Sequence, residues 1–180
     1  MITVIDDVLQ DPDFYNKFAL HQIFYENEKH PLPQHLRGSW KGKRTELIHM
    51  LDDNLFVKLF NEISKKIIDT TFGKQNRLSF DYGVTSYFHL LDQSCKFDEN
   101  WIHQDDNCIY AGIVYLNKTG SHQGTLIFDG EERKVIDNKY NRCVFYDANY
   151  KHSALDGSGS CLDDSRLTIN FFVKNFTLTI

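Results

Sequence analysis

The chain has 180 residues, 41% of them hydrophobic and 14% aromatic, and a formal net charge of −5. That length and apolar content suit one folded domain with a sizeable core and exclude a disordered chain. The acidic balance, without a long basic run or a span-length apolar stretch, argues against a nucleic-acid partner, an anionic membrane surface and a transmembrane anchor.

No basic region precedes the apolar residues of "MITVIDDVL", so no secretory signal is expected and the chain reads as cytoplasmic. Cys95, Cys108, Cys143 and Cys161 are scattered and form no C-x-x-C pair. Reduced thiols are expected, and neither a zinc ribbon nor a thioredoxin-type centre.

The first seventy or so residues read as helical. "DPDFYNKFALHQIF" opens with an acid and a proline, as helices do, and lines up Phe14, Phe18, Gln22 and Tyr25, with Leu20 and Phe24 widening the apolar side. "HPLPQHLRGSWKGKRT", 30–45, holds two prolines and two glycines and reads as a loop. Its "WKGKR" is a small basic cluster, expected to be a solvated face, with contact to an acidic substrate as the lesser reading. In 51–72 the apolar residues Leu55, Leu59, Ile63 and Ile67 recur at helical spacing.

The character changes near residue 78, where "RLSFDYGVTSYFHLL" is rich in aromatic and β-branched residues. Further strands are expected at 109–117, 124–128, 143–147 and 166–176, separated by Gly, Asn and Asp. Helices followed by strands suggest an α+β chain, with helices over 11–72 supporting a β-sandwich or jelly roll over about 78–176. Phe128, Phe145, Phe171 and Phe172 are expected to fill the sandwich core.

"NWIHQDDN", 100–107, places His103 and Asp105 two apart, so an extended chain projects both to one face. The same rule prefers Asp105 over Asp106. A third ligand is needed. His21, His30, His35, His49 and His122 lack an acidic partner at useful spacing, and His89, in a strand, reads as a core histidine. His152 follows a strand about fifty residues beyond His103, a separation that a jelly roll closes across its mouth.

Two imidazoles and one carboxylate occupy one face of an octahedron and leave open positions, the donor set of non-haem Fe(II) oxygenases. A bidentate 2-oxoacid on such a metal needs a second anchor for its far carboxylate. Arg166 opens the last strand, and Thr168 at i+2 shares its face. A guanidinium supplies two parallel donors and a hydroxyl a third. Tyr87 is a further donor from the opposite wall, and Asn170 continues the Arg166 face.

Together "W-x-H-x-D", "GTLIFDG", a later His and "SRLTINFFV" resemble the Fe(II)- and 2-oxoglutarate-dependent dioxygenases, nearest the prolyl-4-hydroxylase-like branch of small bacterial and phage proteins. "VIDDVLQDPDFY" and "WKGKRT" are similar to segments of such chains. The resemblance implies a double-stranded β-helix with N-terminal supporting helices, a single domain over 1–180. It implies His103, Asp105 and His152 as Fe(II) ligands, and Arg166, Thr168 and Tyr87 as the 2-oxoglutarate site. It implies an O2-consuming hydroxylase that releases succinate and CO2. Many prolyl hydroxylases carry Lys where this chain has Arg166, so the activity class does not make the substrate a prolyl residue.

The substrate is expected to be a peptide or protein side chain, then a free amino acid or small metabolite, then a nucleobase. Loops 28–46, 92–101 and 150–163 would form the mouth, carrying Tyr150, Lys151, Asp156, Asp163 and Asp164. Two other readings stand beside the oxygenase: a non-enzymatic jelly-roll or cupin-like binding module, and a metal-dependent isomerase or hydrolase on the same barrel. Only the oxygenase calls for a buried guanidinium at Arg166.

Overall fold

The computed structural model describes residues 1–72, 79–118 and 124–179. Its helices are α1 (Pro12–Leu20), α2 (Gln34–Arg37), α3 (Ile48–Leu51) and α4 (Asp53–Phe72). Its strands are β1 (Ile2–Ile5), β2 (Tyr25–Glu26), β3 (Lys43–Arg44), β4 (Ser79–Leu91), β5 (Tyr110–Tyr115), β6 (Thr125–Asp129), β7 (Glu132–Ile136), β8 (Cys143–Asp147), β9 (His152–Ala154) and β10 (Arg166–Thr179). They form two antiparallel sheets, one ordered β1-β8-β5-β10-β4-β3-β2 and the other β7-β6-β9. This mixed arrangement is consistent with the expected jelly roll.

The alternation of side chains along each strand sorts the large sheet into two faces. On β10, Leu167, Ile169, Phe171 and Val173 point to one face, with Phe88 and Leu90 of β4, Val114 of β5, and Cys143 and Phe145 of β8. Helix α4 covers that face with Leu55, Leu59, Ile63 and Ile67, all buried at the helical spacing read in the sequence. The opposite face meets the small sheet, where Ile127 of β6 packs on Ala111, Ile113, Tyr115, Val144 and Tyr146. Phe145 and Phe171 therefore fill the layer between sheet and helices, not the gap between sheets, and Phe172 lines the inner gap.

The N-terminal region is less helical than expected. β1 pairs with β8, and the two-residue β2 and β3 extend the large sheet beyond β4. α1 is phased differently from the expected apolar line. Its N-cap is Asp11, whose side chain accepts from the Phe14 N–H at 3.1 Å, and Pro12 follows. Tyr15 and Ala19 are buried whereas Phe14 is 43% exposed. Tyr15 wins the inward position because its hydroxyl reaches Glu62 on α4 at 3.3 Å. His122 lies outside the described residues.

Among the described residues no helix is long and apolar enough to cross a membrane. All four cysteines are free.

Candidate metal and oxoacid site

His103 and His152 come together through their backbones. Each N–H donates to the other's carbonyl, at 3.0 and 2.8 Å, which forms an isolated antiparallel bridge. β9 also pairs with β6, opposite Ile127, so His152 is held from both sides. Asp105 is fixed by its own N–H, which donates to the Ala148 carbonyl at 3.1 Å. The 103–105 segment thus runs extended beside 148–152, and the i, i+2 rule holds. Asp105 turns to the histidines while Asp106 is exposed.

One ligand atom from each of His103, Asp105 and His152 lies within 4.8 Å of the others. Asp105 sits between the imidazoles, with Oδ1 3.7 Å from His103 Nε2 and Oδ2 3.3 Å from His152 Nε2. Nδ1–H of His103 donates to the Trp101 carbonyl at 2.8 Å, and Nδ1–H of His152 to the Tyr150 carbonyl at 2.9 Å. A carbonyl only accepts, so in the neutral rings these bonds place the proton on Nδ1 and leave the Nε2 lone pairs facing Asp105. Burial lowers the His152 pKa, whereas the Asp105 side chain, followed by the Trp101 carbonyl, raises that of His103.

Asp105 Oδ2 is buried with no hydrogen-bond partner. A buried carboxylate oxygen left in that state is costly. Two imidazole lone pairs beside it cannot donate to it. A divalent cation would satisfy all three groups, so the donor set fits a metal.

The cavity beside this cluster is lined from both sheets and from all three segments expected at the mouth. They contribute Trp40, Lys41 and Arg44, then Cys95 and Trp101, then Ser153 and Leu155. Tyr150, Lys151, Asp156, Asp163 and Asp164 do not line it. Asp156 and Asp164 instead accept backbone N–H groups of Phe97, Ser160 and Cys161 and shape the loops.

Arg166 is 1% exposed and lies deep in this cavity. One terminal nitrogen donates to the Leu155 carbonyl at 3.2 Å and the other to Thr125 Oγ1 at 3.4 Å. Its Nε has no partner, and the guanidinium lies 5.5 Å from the Tyr115 ring. Among the described residues no carboxylate pairs with it. Burial lowers its pKa.

Thr168 and Asn170 share the Arg166 face and line the cavity. Thr168 Oγ1 donates to Asn170 Oδ1 at 2.7 Å, and Asn170 Nδ2 lies 3.4 Å from His89 Nδ1. His89 Nε2–H donates to the Lys41 carbonyl at 2.7 Å. This chain of bonds commits the Thr168 proton, so to donate to a ligand Thr168 must turn from Asn170. His89 is a core histidine that also faces the cavity, kept neutral by burial.

Tyr87 is buried, its hydroxyl without a partner. Its ring centroid lies 4.0 Å from Arg44 Cζ, and that of Trp40 lies 4.3 Å away. Arg44 belongs to the loop expected at the mouth and to the basic cluster expected to be a solvated face, and it lines the cavity. Its strand β3 is short, but pairing with β4 opposite His89 carries it inward. The "WKGKR" pattern held an available signal, an arginine four residues from a tryptophan, yet cation–π partners distant in sequence are not visible there.

No family model and no curated protein matches this chain. Solved structures do. An oxidoreductase of the 2OG-Fe(II) oxygenase family from Burkholderia pseudomallei is similar at TM-score 0.61 and 10% identity, over 96% of this chain and 83% of that one. A prolyl hydroxylase from Trichoplax adhaerens, in complex with a hypoxia inducible factor oxygen degradation domain peptide fragment, gives 0.62 and 11%, over 96% and 82%. A Pseudomonas putida prolyl-4-hydroxylase gives 0.53 and 13%, over 96% and 91%. The fold of this chain is therefore one it shares with the 2OG-Fe(II) oxygenases and prolyl hydroxylases.

Proposed function

We propose that this chain is an Fe(II)- and 2-oxoglutarate-dependent oxygenase, a single double-stranded β-helix domain that hydroxylates a C–H bond of a peptide side chain or small metabolite. The observation that carries the reading is a pairing within one cavity. A two-histidine, one-carboxylate cluster with an orphaned carboxylate oxygen stands beside a buried arginine that has no acidic partner among the described residues. A simple metal-binding or hydrolytic barrel has no use for that arginine.

In this reading His103, Asp105 and His152 hold Fe(II). The bound metal and cosubstrate supply O2 activation, with succinate and CO2 as coproducts. The protein's own residues do the rest. The Trp101 and Tyr150 carbonyls fix both imidazoles with Nε2 toward the metal position. Arg166 takes the far carboxylate of 2-oxoglutarate through its two terminal nitrogens, with Thr168 beside it. Ile113, Tyr146 and Phe172 form apolar wall that keeps water from the reacting centre. Tyr87 is the further donor to that carboxylate, its buried hydroxyl having no other partner, and its ring lies against the Arg44 guanidinium.

The test is to add Fe(II) and 2-oxoglutarate to the protein without oxygen and record the metal-to-ligand charge-transfer absorption, then admit air and measure succinate by NMR. The expected result is a band that requires both components and succinate that requires oxygen. Metal binding with neither band nor succinate would overturn the reading.

A further inference from the structure

Arg44 is not used by the chemistry proposed above. Its Nε is sealed from solvent without a partner, and its guanidinium makes no hydrogen bond or ion pair among the described residues. The Trp40 and Tyr87 ring centroids lie 4.3 and 4.0 Å from its Cζ, so two aromatic rings pack on the guanidinium, and Arg44 lines the cavity. Burial lowers its pKa, with the nearby Asp105 charge working the other way. An unpaired, partly buried guanidinium packed against two rings is suited to an anion.

The charges of the cavity point the same way. Asp105 is the lone acidic residue among its described lining residues, against Arg44 and Arg166 inside and Lys41 and Lys96 nearer the mouth. The two arginines and Asp105 leave one positive charge in the inner cavity. A divalent metal raises that to three, and dianionic 2-oxoglutarate on Arg166 returns it to one. One further negative charge closes the balance, and Arg44 is the group left to receive it.

We propose that Arg44, clamped between Trp40 and Tyr87, binds a carboxylate of the primary substrate, so that the substrate is a carboxylic acid held by its anionic end with its C–H bond toward the metal cluster. The assignment rests on the reading of Arg166 as the cosubstrate anchor. It narrows the substrate class to peptides that present a free or side-chain carboxylate, amino acids and other small acids. A planar guanidinium packed against two rings suits the planar, two-oxygen edge of a carboxylate.

The test uses the full chain loaded with Zn(II), which does not turn over, and 2-oxoglutarate. A set of N-acetyl amino acids and short aliphatic and aromatic carboxylic acids is screened by saturation-transfer NMR, alongside the primary carboxamide of each. The expected result is at least one acid that binds while its carboxamide is weaker by about thirtyfold or more, the scale of a buried charge pair broken on one side. Arg44→Met should lose that acid to the same extent and Arg44→Lys less, with 2-oxoglutarate affinity within about threefold of the parent in both. Equal binding of acid and carboxamide would overturn the proposal, and so would silence of the whole acid set. Loss of 2-oxoglutarate from Arg44→Met, with the acid retained, would also overturn it by giving Arg44 to the cosubstrate. The comparison of acid with carboxamide on the parent stands even if a variant does not fold. Failure of the parent to bind 2-oxoglutarate at all would instead strike the oxygenase reading.

Discussion

Replacing Arg166 with Met separates a cosubstrate anchor from a structural arginine, because the two roles give opposite signs for stability. The guanidinium is 1% exposed, and its two hydrogen bonds are long, at 3.2 and 3.4 Å. No carboxylate among the described residues repays its desolvation, and Nε has no partner. Even a whole buried ion pair exchanged for apolar groups of similar volume is often neutral or stabilising by ~1–4 kcal/mol, and a buried charge without a counter-ion has less Coulombic energy to lose. The metal-free, cosubstrate-free variant should therefore melt at the same temperature as the parent or a few degrees above it. Binding should go the other way. One side of a buried charge-assisted pair removed costs about 3–5 kcal/mol, on the order of a hundredfold to several thousandfold in 2-oxoglutarate affinity. The assay is titration of 2-oxoglutarate into the anaerobic Fe(II) protein, followed by the charge-transfer band, with calorimetric melting of the apo form beside it. Arg166→Lys should lose less, since the charge survives and the fork does not. Unchanged 2-oxoglutarate affinity together with an apo form destabilised by more than ~2 kcal/mol would show that Arg166 is structural.

Three further outcomes follow from the same geometry. His103→Ala should abolish metal retention after desalting, read by elemental analysis, while Arg166→Met keeps its iron; stoichiometric iron in the first variant would remove His103 from the ligand set. Gly112→Ala should destabilise the fold by about 1–3 kcal/mol in urea melts, because a Cβ there runs into the Phe171 ring on the helix-facing side. Its metal affinity should stay close to that of the parent, since the crowding lies across the sheet from the metal cluster. Asp6 accepts from Arg142 and Lys139, which hold its carboxyl at about 2 against an ordinary 3.8. The stability it contributes is full above 3.8 and is lost as pH falls through about 2. Its side chain is 36% exposed, so screening keeps the effect below ~1 kcal/mol, and Asp6→Asn should flatten only that acid limb of the melting curve.

The parts of the site that sequence made visible are those set by local period. His103 and Asp105 share a face because an extended segment alternates, and Arg166, Thr168 and Asn170 line one wall of the cavity for the same reason. The α4 face was legible because 3.6-residue spacing persists over twenty residues. What escaped depends on contacts distant in sequence. β1 and β9 are short, and their pairing partners decide that they are strands, whereas β7 is the polar, largely solvent-facing return of a hairpin with β6 and carries no apolar run. α1 carries apolar residues on more than one side, so its inward face is selected by tertiary packing, with Tyr15 and Ala19 in the core and the Tyr15 hydroxyl on Glu62 of α4. Arg44 lies in a stretch whose glycines and prolines signal a loop. Its burial comes from β4 alongside and from two rings, one of them more than forty positions away.

β10 shows why the core and the site cannot vary independently. It is paired on both sides, to β4 and to β5, so its register is fixed along Thr168–Val173 by two ladders at once and is carried to Arg166 by the β4 ladder. Alternate residues of that single segment are the helix-side core and the cavity wall: Leu167, Ile169 and Phe171 on one face, Arg166, Thr168 and Asn170 on the other. A slip of one residue would exchange the two sets, placing a guanidinium against Phe60 and Ile63 and aliphatic groups where the anion is proposed to bind. The cost of burying that charge in the apolar layer therefore holds Arg166 in the cavity. The hydrophobic packing of α4 on the large sheet, which touches no ligand, is what aims the proposed cosubstrate anchor.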